Sequence, residues 1–327
     1  MRNKACLSFF MDKQPYIHPF LSYDALAAQL AQRGVAGEPA FITRKLMEVG
    51  YQRLSAYWLP FSDAHGGVHV DFDTIWCLYC LDCRLRALLL EALSRIEVTV
   101  RNRLVHFFAE EYGAFGYLKR QNLPHAGLDV WRKWSKKQRD AASASKAKLV
   151  TDFFLKDSDK RLPIWIACEL MDFGSTVVLF GSVEQRVQKK TSRSLGINNP
   201  RILHSWLRAL NDVRNACAHH NRVWNRAWVK QPSLPQNEVC WTARYSTQSE
   251  CWEPVPRTSS GNIIESAFDI TKTGVMLTIC KVLLDKIDAE SDWSNRVKAL
   301  LKSAGMTPST LSWMGLPSHW QEHPLWK

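Results

Sequence analysis

The 327-residue chain contains no run of about 18 apolar residues, so no segment has the length expected of a membrane-spanning helix. It has no GxxxxGK[ST] or GxGxxG loop to cradle a nucleotide phosphate, which argues against the common nucleotide-dependent activities. Its His, Cys and carboxylate residues form no convincing metal constellation, and neither a metal nor another cofactor is expected. The basic start Met1-Arg2-Asn3-Lys4 leads into an apolar stretch too short for a signal peptide, and the expected location is the cytoplasm. Repeats and low-complexity tracts are absent, and clear period-two strands are scarce. Nine cysteines, an odd number without disulfide-like spacing, suit a reducing compartment. Cys77-x2-Cys80-x2-Cys83 lies in a long helical pattern, where small buried side chains are expected rather than a zinc site.

Acidic residues are also in short supply. Thirty-one Asp and Glu stand against 43 Lys and Arg, a formal net charge of +12 that favours polyanionic partners, nucleic acid first. Arg132, Lys133, Lys136, Lys137, Arg139, Lys146 and Lys148 crowd one segment with a single acid, Asp140, and two tryptophans, Trp131 and Trp134. Arg132, Lys133, Lys136 and Lys137 are candidate RNA contacts, with charge for phosphates and exposed aromatic faces for bases. A solvated helix face accounts for that cluster equally well. Arg186, Lys189, Lys190 and Arg193 form a second cluster.

What is abundant is helical periodicity. Ser22 and Gly34 bound one short helix, and Pro39 and Gly50 another. From Phe72 to Tyr112 the apolar positions keep a helical period without Pro or Gly, and Gly113 and Gly116 end it. Further helices fit about 128–156, 162–171 and 174–193, a pair fits 262–289 and 292–303, and 231–261 is expected to be irregular. After Asn199-Pro200, the residues Leu203, Trp206, Leu210, Val213, Cys217, His220 and Trp224 alternate spacings of three and four, drawing one core-facing stripe. Arg208, Asn211, Asn215, His219 and Arg222 draw a polar stripe beside it. This pattern predicts a buried His220 and an accessible His219 flanked by guanidinium groups, a setting suited to acid–base chemistry on a phosphodiester.

Arg214-x4-His219 resembles the R-x4-6-H signature of HEPN-domain ribonucleases. It sits inside Arg214-Asn215-Ala216-Cys217-Ala218-His219-His220-Asn221-Arg222-Val223-Trp224-Asn225, which resembles the RNxCAHxxRxWN run of the Abi-like (abortive-infection) family. Gly50 to Trp58, Leu81 to Arg86, Arg95 to Val98, Leu162 to Trp165 with Glu169 and Phe173-Gly174, and the tail from Met314 to Trp326 agree with that family in order.

The resemblance implies an all-α fold: an N-terminal helical subdomain (1–70), a HEPN-like bundle carrying the motif (71–230), and a loop-rich segment with C-terminal helices (231–327). It implies a metal-independent endoribonuclease acting as a toxin or antiphage effector, in which the 2′-hydroxyl attacks the adjacent phosphate. A 2′,3′-cyclic phosphate and a 5′-hydroxyl result. His219 is then the general acid or base, Arg214 stabilises phosphorane charge, Asn215 orients the imidazole or a phosphate oxygen, and Arg222 adds charge. Five residues on an ideal helix set Arg214 and His219 about 140° apart. Either the long Arg214 side chain wraps round, or the helix distorts, or two copies of the motif meet; HEPN domains usually dimerise with both motifs facing one cleft, and the resemblance implies a homodimer here. Arg101-x4-His106 repeats the spacing without the surrounding context and is read as chance, a pseudo-dimer using both copies being the lesser alternative. Two other readings remain open: a non-catalytic RNA-binding protein held by a structured regulatory RNA, and a helical module that responds to a phage protein.

Overall fold

Several helix starts coincide with side chains that satisfy the first free amides. In a computed structural model, which describes residues 19–156, 161–236, 238–253 and 267–327, Ser22 Oγ accepts from Ala25 N at 3.2 Å and opens α1 (Tyr23–Gln32). The Glu38 carboxylate takes the amides of Ala40 and Phe41 at the start of α2 (Pro39–Val49). The aromatic segment forms α3 (Tyr51–Trp58), and α4 (Phe72–Tyr112) matches the long helix expected there. Two compact units divide within α4, one ending at Tyr79 and the other beginning at Cys80. The first has its own core of Leu30, Ile42, Leu46, Leu54, Tyr57, Trp58, Phe72 and Ile75.

The second unit continues with α5 (Leu128–Ala144), α6 (Lys148–Lys156), α7 (Ile164–Ala167), α8 (Phe173–Ser182), α9 (Gln185–Ser194) and α10 (Pro200–Ala218). Two helices expected to be continuous are broken. Between α5 and α6, Ser145 is extended and its hydroxyl accepts from Ala147 N. Between α8 and α9, Gln188 Nε2 donates to the carbonyls of Phe180 and Val183, and His125 N donates to that of Ser182. The Gln188 side chain from the next helix and the sequence-distant His125 amide satisfy a helix end that local propensity does not mark.

α11 (Val239–Thr242), a hairpin of β1 (Arg244–Ser246) and β2 (Cys251–Glu253), α12 (Thr273–Ile287), α13 (Trp293–Ser303) and α14 (Pro308–Ser312) follow. The hairpin is antiparallel, with Tyr245 opposite Trp252, inside the stretch expected to be irregular. Met1 to Met11, Pro254, Pro256, Gly261 and the expected helix start at 262–266 lie outside the described residues.

Among the described residues one small sheet accompanies this helical framework, and the fold is all-α. No described helix is long and apolar enough to cross a membrane. α10 is central to the second unit. It packs against α8, α9 and α12, and Leu203, Trp206, Leu207, Leu210, Val213 and Cys217 are buried along it. Trp293 of α13 donates to the Leu88 carbonyl of α4 at 2.8 Å, and Arg95 of α4 pairs with Asp288. The Cys77–Cys83 expectation of burial does not hold. Cys77 is exposed and Cys80 and Cys83 are half-buried, because the stripe that α4 buries runs through Leu78, Leu81, Asp82 and Leu85.

Candidate active site

The motif helix stops earlier than its apolar stripe implies. α10 ends at Ala218, His219 caps it, and His220 adopts a left-handed conformation (φ 55°). Asn221 N donates to Ala216 O at 2.8 Å and His220 N to Cys217 O at 3.0 Å, the paired bonds of a Schellman cap. His220 is therefore exposed, which corrects the expectation that it lies in the core stripe. The stripe resumes at Val223 and Trp224 through a loop instead of a helical turn. Asp82, fully buried on α4, makes this possible. One of its oxygens accepts from Val223 N (3.1 Å) and Trp224 N (2.6 Å), while the other pairs with Arg86. On the far side, Thr273 Oγ1 donates to Val223 O at 2.6 Å, and Trp228 N donates to Thr271 O at 2.7 Å. The segment after His219 is thus tied to α4 and α12 by buried hydrogen bonds.

This anchoring leaves a cleft of about 240 Å³ whose lining includes Asn215, His219, Asn221, Arg226, Trp228 and Asp212. His219 and Asn215 are both exposed here, one helical turn apart. The guanidinium lining the cleft is that of Arg226, a residue the sequence reading passed over. It lies 4.6 Å above the Trp228 ring, and its Nη1 donates to Arg222 O at 3.3 Å. The pairing with a loop tryptophan is its only sequence signal. Arg222 is half-buried beside it.

Arg214 does not line this cleft. Its Nε lies 3.6 Å from Glu97 Oε2, and Glu97 Oε1 lies 3.8 Å from Arg101. Arg101 also donates to Met171 O at 2.9 Å and lies 3.5 Å from Glu169. Burial pushes the Glu97 carboxyl above the ordinary range, against the pull of Arg214 and Arg101. Asp172 caps α8 through Ser175 N and takes Lys137 Nζ at 2.6 Å. Burial opposes its ionisation, but the Lys137 and Ser175 hydrogen bonds hold its carboxyl below the usual range. Arg101, set aside in the sequence as a chance spacing, thus shares one carboxylate with Arg214, whereas His106 is exposed on α4 next to Phe107.

The model of the family described as Abi-like protein matches residues 44–225, more than half of the chain. The chain belongs to the Abi-like family. No curated protein and no solved structure matches it. The Abi-like span takes in Asp82, Glu97, Arg101, Arg214, Asn215 and His219 and stops one residue short of Arg226.

Elsewhere on this Abi-like protein, the expected basic clusters are partly spent on acids. Lys136 pairs with Asp140 and Lys137 with Asp172, both at 2.6 Å, while Arg132 and Lys133 are exposed without an ion pair among the described residues. Trp134 is not a stacking face. It is buried, donates to Ser175 O at 2.9 Å and meets Tyr117 edge-on, because α5 turns Trp134, Ser135 and Gln138 inward. Trp131 is half-buried. In the second cluster Arg186 pairs with Glu111 and Glu184, and Lys190 with Glu110.

Proposed function

We propose that this protein is a metal-independent endoribonuclease of the HEPN type, acting in the resistance to bacteriophage that Abi-like membership supports. One observation carries the reading. An accessible imidazole at the end of α10 shares a small cleft with a side-chain amide and a guanidinium, on a backbone held from both sides by buried hydrogen bonds. Such a site has the parts for transphosphorylation. His219 takes the proton of the 2′-hydroxyl, whose oxygen attacks phosphorus. The bond to the 5′-oxygen breaks, and that oxygen leaves with the proton the imidazolium returns. Asn215 orients the ring or a non-bridging oxygen, and the Arg226 guanidinium stabilises the phosphorane charge, with Arg222 adding to the field. Arg214 is turned to Glu97. A homodimer that sets two motifs against one cleft would let the Arg214 of a second copy join the site.

The test is purified protein with labelled RNA in excess chelator. Wild type should leave cyclic-phosphate and 5′-hydroxyl ends and spare DNA, which lacks the nucleophile. His219→Ala should abolish both cleavage and growth inhibition while melting within about 3 °C of wild type, since His219 is exposed. Cleavage that requires Mg²⁺, or that survives in His219→Ala, overturns the reading. The ion pairing of Arg214 with Glu97 favours a second reading, a non-catalytic protein held by a structured RNA. In that case RNA co-purifies and no variant alters product ends.

A further inference from the structure

We propose that a groove between α8 and α10 seats an unpaired RNA strand and leads it to the His219 cleft, an inference that rests on the RNA reading above. The groove encloses about 570 Å³ and is lined on α10 by His204, Arg208 and Asn211. Its other wall is α8, at Gly174 and Gly181. These glycines are seven residues apart, as are His204 and Asn211, so two turns of each helix are in register. A Cβ on Gly181 would stand 2.7 Å from the His204 ring, and one on Gly174 would lie 3.6 Å from the Asn211 amide oxygen. At Gly181 a side chain would displace the His204 ring, whereas at Gly174 a Cβ would make ordinary contact, so the close approach is at the Gly181 end.

The groove and the His219 cleft adjoin. Lys230 lines the first and Asp212 the second, and the two are paired at 2.6 Å. Together they follow α10 from His204 to His219, fifteen residues or about 22 Å of helix. Asp212 is the one carboxylate among the residues lining either depression, against Arg208, Lys230 and Arg226. Arg208 is exposed and has no ion pair among the described residues. Burial, reinforced by the Arg208 charge, pushes the His204 pKa down, which leaves a neutral ring beside the apolar Val177 and Val178. Cations beside an imidazole and valine surface match a chain that offers phosphates and open base faces together. A duplex stacks its base faces internally and could meet only the cationic rim.

The experiment uses a fluorescein-labelled 12-nucleotide 2′-O-methyl RNA, which cannot be cut by its own 2′-hydroxyl, and reads anisotropy across a salt series in chelator. Wild type should bind the single strand at least tenfold more tightly than the same sequence as a duplex. Arg208→Ala should weaken strand binding about tenfold and reduce the salt slope by about 0.7, the value for one phosphate contact on a single strand. Val178→Glu, an acid placed at an exposed groove position, should weaken it as well. Arg193→Ala on α9 removes the same charge elsewhere and should change affinity less than twofold. Equal losses from Arg208→Ala and Arg193→Ala, equal affinity for duplex, or no binding at all would overturn the groove. Because the probe is not consumed, binding and catalysis fail separately. A protein that binds the strand through Arg208 but cuts nothing removes the nuclease and keeps the groove. One that cuts RNA with affinity indifferent to Arg208 does the reverse.

Discussion

Asp82→Ala should be the most damaging single change near the motif, although Asp82 lies in the long helix and far from it in sequence. The carboxylate is fully buried, accepts two backbone amides at 3.1 and 2.6 Å, and pairs with Arg86, whose side chain is 8% exposed. Removing one member of a buried ion pair costs about 3–5 kcal/mol. Each amide left without an acceptor adds about 1–3 kcal/mol, less where the loop can reach water. These overlap, so roughly 4–6 kcal/mol is the expected total, equivalent to about 10–20 °C in melting temperature for a unit of this size. Thermal melting by circular dichroism measures it directly. Asp82→Asn with Arg86→Met keeps an amide acceptor and removes the stranded charge, so it should recover most of the loss. At a temperature where Asp82→Ala is still fully folded, RNA cleavage should already be impaired, because the loop following His219 has lost its anchor. A melting temperature within 3 °C of wild type, or a double variant no more stable than Asp82→Ala, would refute the reasoning.

His220→Gly should stabilise the protein by up to about 1 kcal/mol, since glycine adopts the left-handed cap without strain, while His220→Val should destabilise it; paired urea titrations check both. His323 is buried, its pKa is pushed down to about 4 by burial, and its Nδ1 accepts from Leu325 N at 3.2 Å, so only the neutral ring fits. The unfolded chain takes up that proton first as pH falls from about 6.5, so about 3 kcal/mol of stability should be lost between there and pH 4. His323→Gln should flatten that decline in urea melts recorded across the range. Glu97 carries the opposite dependence: its folded pKa is raised, so its contribution is complete below its unfolded value of 4.5 and is lost as pH rises through the folded one. Glu97→Gln should remove that fall, visible as a difference between the two stability–pH curves just above pH 4.5.

Much of the framework was legible because it depends on local chemistry. The bounds of α4 followed from an uninterrupted helical period, and α1, α2 and α10 began at Ser22, Pro39 and Pro200 as their caps and prolines implied. The polar stripe of α10 was legible too, and its members Arg208, Asn211, Asn215 and His219 line the groove and the cleft. The breaks at 145–147 and 183–184 were not, since in the second the donors come from Gln188 and His125. Trp134 was misplaced for a related reason. Nothing local distinguishes a tryptophan among lysines on a surface from one that α8 covers.

The sequence by itself determined the helical class, the family and the positions of His219 and Asn215, because periodicity, capping and motif residues act over a few residues. Only the tertiary structure decided which charges meet. It gave Arg214 to Glu97, drew Arg101 into the same cluster, placed Arg226 in one cleft with His219, and ended α10 at Ala218 with a left-handed His220 after the cap. It did so because a buried charge or amide must find a partner wherever the chain brings one, and Asp82 reaches across 142 positions to hold Trp224.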